Sequence, residues 1–368
     1  MNFDLSEDEE MLKAVAERFV TDHYDLDRRR GYLAHDQGFS PENWALMAEL
    51  GLIAAPMSED SGGLGIGSTG LMTIFEALGR GLVVEPLAES IVLAAGLFER
   101  TASDALKAAW LESLAMGERR LALAHREAAA RDNPHWIETR AQITGDSATL
   151  TGEKSLVIAP MGAAAFIVSA RTSGHSGDAQ GIALFLVAAD APGLHIKPWR
   201  LVDGSVGGTV TFANTPATPL GGGAEELDNA QTRASLVRSA EALGIMQRLF
   251  DETLEYLRTR KQFGAPLASF QALQHRMVDQ YSALEQARSL LYIAAMADGA
   301  DKTAWRKAVD GARAYIAEAS IDLGHEAIQL HGGMGVTDEL IIGHGHKRLL
   351  MLSRWPESPE RTLDRYAA

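Results

Sequence analysis

The chain has 368 residues, enough for two or three domains with large cores, and its 46% hydrophobic and 23% charged content is ordinary for a globular protein. With 34 basic against 49 acidic residues the net charge is −15, which argues against broad nucleic-acid binding and asks any anionic ligand to find a local basic pocket. There is no cysteine, so disulfides, thiolate metal sites and cysteine nucleophiles are excluded.

The opening MNFDLSEDEE is acidic and lacks a signal-peptide apolar region, and no apolar run reaches the roughly 18 residues of a membrane span. A cytoplasmic protein without a span is expected. Ser6-Glu7-Asp8-Glu9 fits a capping box that opens a helix with Met11, Leu12 and Val15 on its apolar face. Trp44, Met47, Leu50 and Leu52 mark a further helix that stops at Gly51. In SEDSGGLGIGS, Gly62, Gly63, Gly65 and Gly67 follow no strand and lack dinucleotide-loop spacing, so a flexible helix-to-helix loop is expected. Helices thus fill a first domain over 1–118. Over 119–225 the period shortens, with LALAHREA, ATLTGEKSLVIA, AAFIVSART, GIALFLVAA, GLHIKPWR and GTVTFAN as β-rich runs separated by turn residues. They predict a compact antiparallel β domain, with Gly221-Gly222-Gly223 as linker. Over 226–368 four helical patterns return, interrupted at Gly264, Gly299 and the Gly332–Gly335 segment. In the first, Leu243, Met246, Leu249, Phe250, Leu254 and Leu257 share one face. Gly264 and Pro266 break it, and Leu267, Phe270, Leu273 and Met277 continue the apolar stripe.

Arg260-Lys261-Gln262-Phe263-Gly264, followed by Phe270-Gln271 and His275, resembles the signature of the acyl-CoA dehydrogenases. Gln329-Leu330-His331-Gly332-Gly333-Met334-Gly335 resembles a second element of that family, and the helical, β, helical order extends the likeness over nearly the whole chain. The "GEKS" run and the wording TRKQFG…FQALQHR are most similar to the small subunits of pimeloyl-CoA and steroid acyl-CoA dehydrogenases. The resemblance implies an α+β, mainly α fold with an N-terminal helical domain, a central antiparallel β domain and a C-terminal four-helix bundle. It implies FAD as cofactor, an acyl-CoA substrate converted to the trans-2-enoyl-CoA, and an electron-transferring flavoprotein as acceptor. It also implies a homo-oligomer or a heterotetramer of two copies each with a related subunit (α2β2). Carried over by position, Arg260 pairs with the flavin diphosphate of a neighbouring subunit, Gln262 bonds nearby, and Phe263 packs on the cofactor. Gln271, Gln329, Gly332 and Gly333 complete the implied contacts. A guanidinium suits a diphosphate because it is bidentate and permanently charged. Taken singly, Arg260 could merely cap a helix and the paired glycines could merely end one.

Two departures stand out. Where the family shows Thr-Glu-Pro-Gly-x-Gly-Ser-Asp, this chain has His125-Arg126-Glu127-Ala128-Ala129-Ala130-Arg131-Asp132, and where a Trp and a Thr meet the flavin ring it has Leu156 and Ile158. Those losses are what a chain that completes its site with a better-equipped partner would show. The reaction also needs a carboxylate to take the proton α to the thioester. The family's Tyr-Glu-Gly position falls at Trp355-Pro356-Glu357-Ser358, one residue out of register, and the alternative slot early in the helix before Arg260 is Ala234. Glu241, two turns later on the same face, is the first candidate base and Glu357 the second. On the other reading Glu241 pairs with Arg238 or Arg248 at the surface. His331, His344 and His346 lack nearby carboxylates, so no metal is expected. Two other functions stay open, a non-catalytic partner subunit and a flavin oxidase or monooxygenase on the same fold.

Overall fold

The computed structural model describes residues 5–299 and 301–368; the first four residues of the acidic opening lie outside them. The described residues begin with α1 (Glu7–His23), α2 (Leu26–Ala34), α3 (Pro41–Glu49), α4 (Ser68–Gly81), α5 (Gly96–Thr101) and α6 (Asp104–Ala115). Strands follow as β1 (Leu121–Ala124), β2 (Arg140–Thr144), β3 (Ser147–Ile158), β4 (Ala165–Arg171), β5 (Ile182–Ala188), β6 (Leu194–Arg200) and β7 (Val206–Pro219). Then come α7 (Ala224–Thr259), a hairpin of β8 (Lys261–Gln262) and β9 (Ala265–Pro266), α8 (Gln271–Met296), α9 (Lys302–His331), α10 (Ile341–Arg354) and α11 (Pro359–Ala367). The fold is α+β and mainly α, in the helical, β, helical order expected. By contacts the chain gathers into two units: one holds residues up to 30, 67–83 and 235–368, and the other holds 31–66 and 84–234. No helix among the described residues is long and apolar enough to cross a membrane.

In the first unit the capping box forms as the sequence predicts. The Ser6 hydroxyl accepts the Glu9 N–H at 3.2 Å, and the Glu9 carboxylate accepts the Ser6 N–H at 2.9 Å. The helix it opens buries Leu12, Ala16 and Phe19, while Met11 faces water, so the apolar stripe lies one position round from the one expected. On α7, Leu243, Met246, Leu249 and Leu257 are buried as their spacing requires. Its crossing with α4 is unusually close. A Cβ added at Gly79 would lie 2.2 Å from the Glu241 carbonyl oxygen, and one at Gly244 would lie 2.0 Å from the Glu76 carbonyl oxygen. Neither position has room for a methyl group, so the two backbones touch. Arg288 of α8 bonds both Glu76 (2.6 Å) and Gln247 (2.8 Å), fastening a third helix to the crossing.

In the second unit the strands β4-β2-β3-β7-β5 form a path that closes through β4–β5, with β1 added beside β4 and β6 beside β7. Phe166, Val168, Phe185, Val187, Val210 and Phe212 fill its interior. Most pairings are antiparallel, but β1 and β2 each run parallel to β4, which corrects the purely antiparallel expectation. The long connection from β1 to β4, which carries β2 and β3, gives the chain room for the crossover that parallel pairing needs. The glycine-rich segment between α3 and α4 is not a slack linker. Gly62 has φ 79°, and a Cβ on Gly63 would lie 2.3 Å from the Met57 carbonyl oxygen, so these glycines allow tight backbone packing.

Replacing Gly244 by Ala is expected to cost about 2 kcal/mol or more, because the methyl meets backbone that cannot step aside. Gly31→Ala, where nothing lies within 4 Å, should be neutral or stabilise by up to about 1 kcal/mol as alanine replaces a helical glycine. Urea unfolding of both variants checks this; equal effects would show that the crossing tolerates a methyl.

Candidate functional site

The sequence pattern around Arg260 becomes a two-strand hairpin that projects from the end of α7. The Arg260 N–H bonds the Tyr256 carbonyl at 2.8 Å, and the Leu267 N–H bonds back to the Arg260 carbonyl at 2.9 Å, closing the turn. Phe263 and Gly264 at its tip both take positive φ, 55° and 83°. Phe263 is 89% exposed and meets the edge of Phe270, with ring centroids 6.2 Å apart. Arg260, Gln262 and Gln271 are exposed, and among the described residues their side chains have no hydrogen-bond or ion-pair partner. Gln329, Gly332 and Gly333 are likewise exposed, at the C-terminal end of α9. A Cβ at either glycine would meet nothing within 4 Å, so the space beside this turn is open, while the Gly332 N–H donates to the Gln329 carbonyl. The hairpin and the glycine turn belong to one neighbourhood. Tyr256 stacks on His331 with centroids 4.3 Å apart, and Leu257 and Leu330 share a small core with Met277.

The two candidate bases lie elsewhere. Glu241 is buried, as expected, but it is not alone: Arg348 of α10 donates to both its oxygens, at 2.6 and 3.1 Å. That corrects both the lone-carboxylate expectation and the alternative of surface pairing, for Arg248 pairs with Glu252 and Arg238 lies over Trp355. Along α7, Glu241 is 19 residues from Arg260, which is about 28 Å of helix rise. Glu357 is also buried, and Arg365 donates to both its oxygens at 2.5 and 2.6 Å while binding Asp310 as well. His331, His344 and His346 are used separately. His331 stacks on Tyr256, His344 bonds the Asp338 carbonyl, and His346 lies against His325.

In the β domain, the segment that departs from the family pattern is held by a charge pair the sequence did not announce. Glu127 accepts from Lys154 (2.7 Å), from the Thr139 N–H and hydroxyl, and from the Glu138 N–H. Burial pushes the Lys154 ammonium down to about 8, with Glu127 opposing the shift. His125 bonds Ser169 at 2.8 Å, and burial, followed by the nearby Lys154 charge, pushes its imidazole down to about 3. Beyond the short turn Ala128–Ala130, Arg131 adopts φ 49° and ψ −117°, a conformation that costs a non-glycine residue about 1–3 kcal/mol. Leu156 and Ile158 sit half-exposed on β3.

Residues 6–118 match the acyl-CoA dehydrogenase N-terminal domain and residues 224–355 match the acyl-CoA dehydrogenase C-terminal domain. The chain is 34% identical over 310 residues to acyl-CoA dehydrogenase FadE27 of Mycobacterium tuberculosis, covering 82% of this chain and 80% of that one. The chain belongs to the acyl-CoA dehydrogenase family. Acyl-CoA dehydrogenases are FAD-dependent oxidoreductases, and FAD is this chain's cofactor. In fold it is similar to the crystal structure of the ChsE4–ChsE5 complex from Mycobacterium tuberculosis, with a TM-score of 0.90, 28% identity, and coverage of 100% of this chain and 98% of that one. It is similar also to a structure described as PigA with FAD and proline, with a TM-score of 0.91, 26% identity, and coverage of 100% and 98%. The chain's own residues fit such a cofactor: an unpaired guanidinium and two unpaired carboxamides are donors suited to a diphosphate and ribose, and the side-chain-free face of Gly332 and Gly333 leaves room for close approach.

Two outcomes follow from these geometries. Between pH 6.5 and about 3 the unfolded chain takes up a proton at position 125 that the folded chain refuses, so stability is intact above 6.5 and falls as the pH drops through that window. His125→Asn should flatten that slope in unfolding curves recorded from pH 7 to 4. Arg348→Met should cost about 2 kcal/mol or more by leaving a buried carboxylate without its partner, and adding Glu241→Gln should recover much of the loss in a double-mutant cycle.

Proposed function

We propose that this chain takes part in α,β-dehydrogenation of an acyl-CoA thioester to the trans-2-enoyl-CoA, in an assembly whose flavin pocket is completed by a second subunit. The observation that carries the proposal is the exposed set of Arg260, Gln262 and Phe263, together with the uncrowded Gly332-Gly333 turn. In this reading Arg260 offers two parallel donors to the diphosphate, Gln262 adds a third, and Phe263 lays an apolar ring on the cofactor. Bound FAD supplies the hydride acceptor for the substrate's β carbon. The acceptor beyond it is an electron-transferring flavoprotein, and the setting is the cytoplasm. Glu241 is the proposed proton acceptor, which requires the substrate complex to free one of its oxygens from Arg348.

A second reading is favoured by the engagement of Glu241 by Arg348 and of Glu357 by Arg365, both at two oxygens. The chain is then the supporting half of a heterotetramer, lending Arg260 and Gln262 to a related subunit that supplies its own base. That the similar ChsE4–ChsE5 structure is a complex supports this reading.

The deciding measurement is the visible spectrum of the chain alone and co-expressed with a related subunit, followed by acyl-CoA addition without oxygen. We expect flavin to be retained in the assembled form and bleached by a thioester, and Arg260→Met to lower flavin content severalfold. Glu241→Gln should abolish turnover with flavin still bound; near-normal turnover of that variant assigns the base to the partner. Flavin that stays oxidised with every thioester defeats the dehydrogenase reading.

A further inference from the structure

The flavin-facing hairpin and the glycine turn come from segments about 70 residues apart in sequence, and neither has a hydrogen bond to the other among the described residues. What joins them is a pair of rings. Tyr256 stands on the last turn of α7, and its carbonyl is the acceptor for the Arg260 N–H at 2.8 Å. His331 is the residue immediately before Gly332, and its Nδ1 bonds the Ala327 carbonyl at 2.8 Å, which fixes the ring against α9. The rings stack with centroids 4.3 Å apart and planes 26° from parallel, and the Tyr256 hydroxyl reaches the His331 carbonyl at 3.4 Å. Leu257 and Leu330, the chain neighbours of the two rings, are both buried beside Met277. The stack therefore rides on a small core that reaches both elements, with Arg260 hydrogen-bonded to the residue that carries one ring and Gly332 directly after the residue that carries the other.

We propose that Tyr256 and His331 are positioning residues that keep the Arg260 hairpin and the Gly332-Gly333 amides at one spacing, so that both can meet a single flavin. This rests on the reading of those two elements as flavin contacts. His331 stays neutral in this position, because burial pushes its imidazole below its ordinary value.

The test is the affinity for FAD of the assembly that holds flavin, measured by titrating the flavin-stripped protein and following flavin fluorescence, together with its unfolding midpoint without flavin. His331→Leu keeps the volume but removes the ring, and should weaken FAD about threefold to tenfold, the range of one aromatic pair, with little change in the flavin-free midpoint. His331→Phe restores a ring and should recover most of the affinity. Tyr256→Leu should behave like His331→Leu. Full affinity in both leucine variants overturns the clamp, as does equal loss in the leucine and phenylalanine variants of position 331, and so does a loss that merely tracks the midpoint. Arg260→Met separates the two ideas. If it leaves FAD affinity unchanged, the hairpin is no flavin contact and the underlying reading fails; if it weakens FAD while the leucine variants do not, only the clamp fails.

Discussion

Two glycines without side chains govern the helical unit. At Gly79 and Gly244 the backbones of α4 and α7 come so close that a single methyl would collide with a carbonyl oxygen. Because protein interiors are packed near crystal density, a contact of this kind sets an angle and a depth rather than merely permitting one. Once α7 is seated there, its other faces have little freedom. Glu241 arrives opposite Arg348, Gln247 opposite Arg288, and the final turn delivers Tyr256 to the end of α9. The hairpin beyond it is aimed by a helix whose position was decided some four turns earlier.

The same unit tolerates an unusual number of buried ions by giving each an assigned partner. Glu241 has Arg348, Glu357 and Asp310 share Arg365, and Arg313 donates to the backbone carbonyls of Leu352 and Glu357. Such pairs are poor sources of stability, since desolvation cancels most of the attraction, but breaking one strands a charge. They tie α7 to α10 and α9 to α11, so a shift of one helix against its partner would strand a charge. Two carboxylates that a reader of the sequence would offer as chemical groups are thus already committed to architecture in the chain at rest.

Much of this was legible in the residues. The Ser6 capping box, the apolar stripe of α7, the break at Gly264 and five of the long β runs all follow from local rules, and the structure has them where the spacing puts them. What escaped was whatever depends on a distant partner. The pairing of Glu241 with Arg348 spans 107 positions, and no local pattern ties the two. β2 is absent from the β-rich runs read in the sequence, and only one of its five residues is even partly buried; its strand character comes from pairing with β3. His331 was visible within the glycine element and among the histidines, but not as a ring partner, since the tyrosine it stacks on lies 75 positions away. The outward donors of the hairpin were found because their neighbours in sequence are also their neighbours in space.

One arginine in the β domain has consequences of a different sort. Arg171, at the end of β4, is fully buried, and its guanidinium donates to the carbonyls of Ile137, Ser173, Gln180, His135, Ser176 and Asp178. The irregular stretches before β2 and after β4 thereby satisfy several of their carbonyls from one side chain instead of from a ladder. Surface loops without regular structure are normally the first places where a protease nicks a chain or deuterium enters. Here one side chain and the bond from the Ile137 N–H to the Ser176 carbonyl tie both stretches to the end of β4, so they should open together rather than singly.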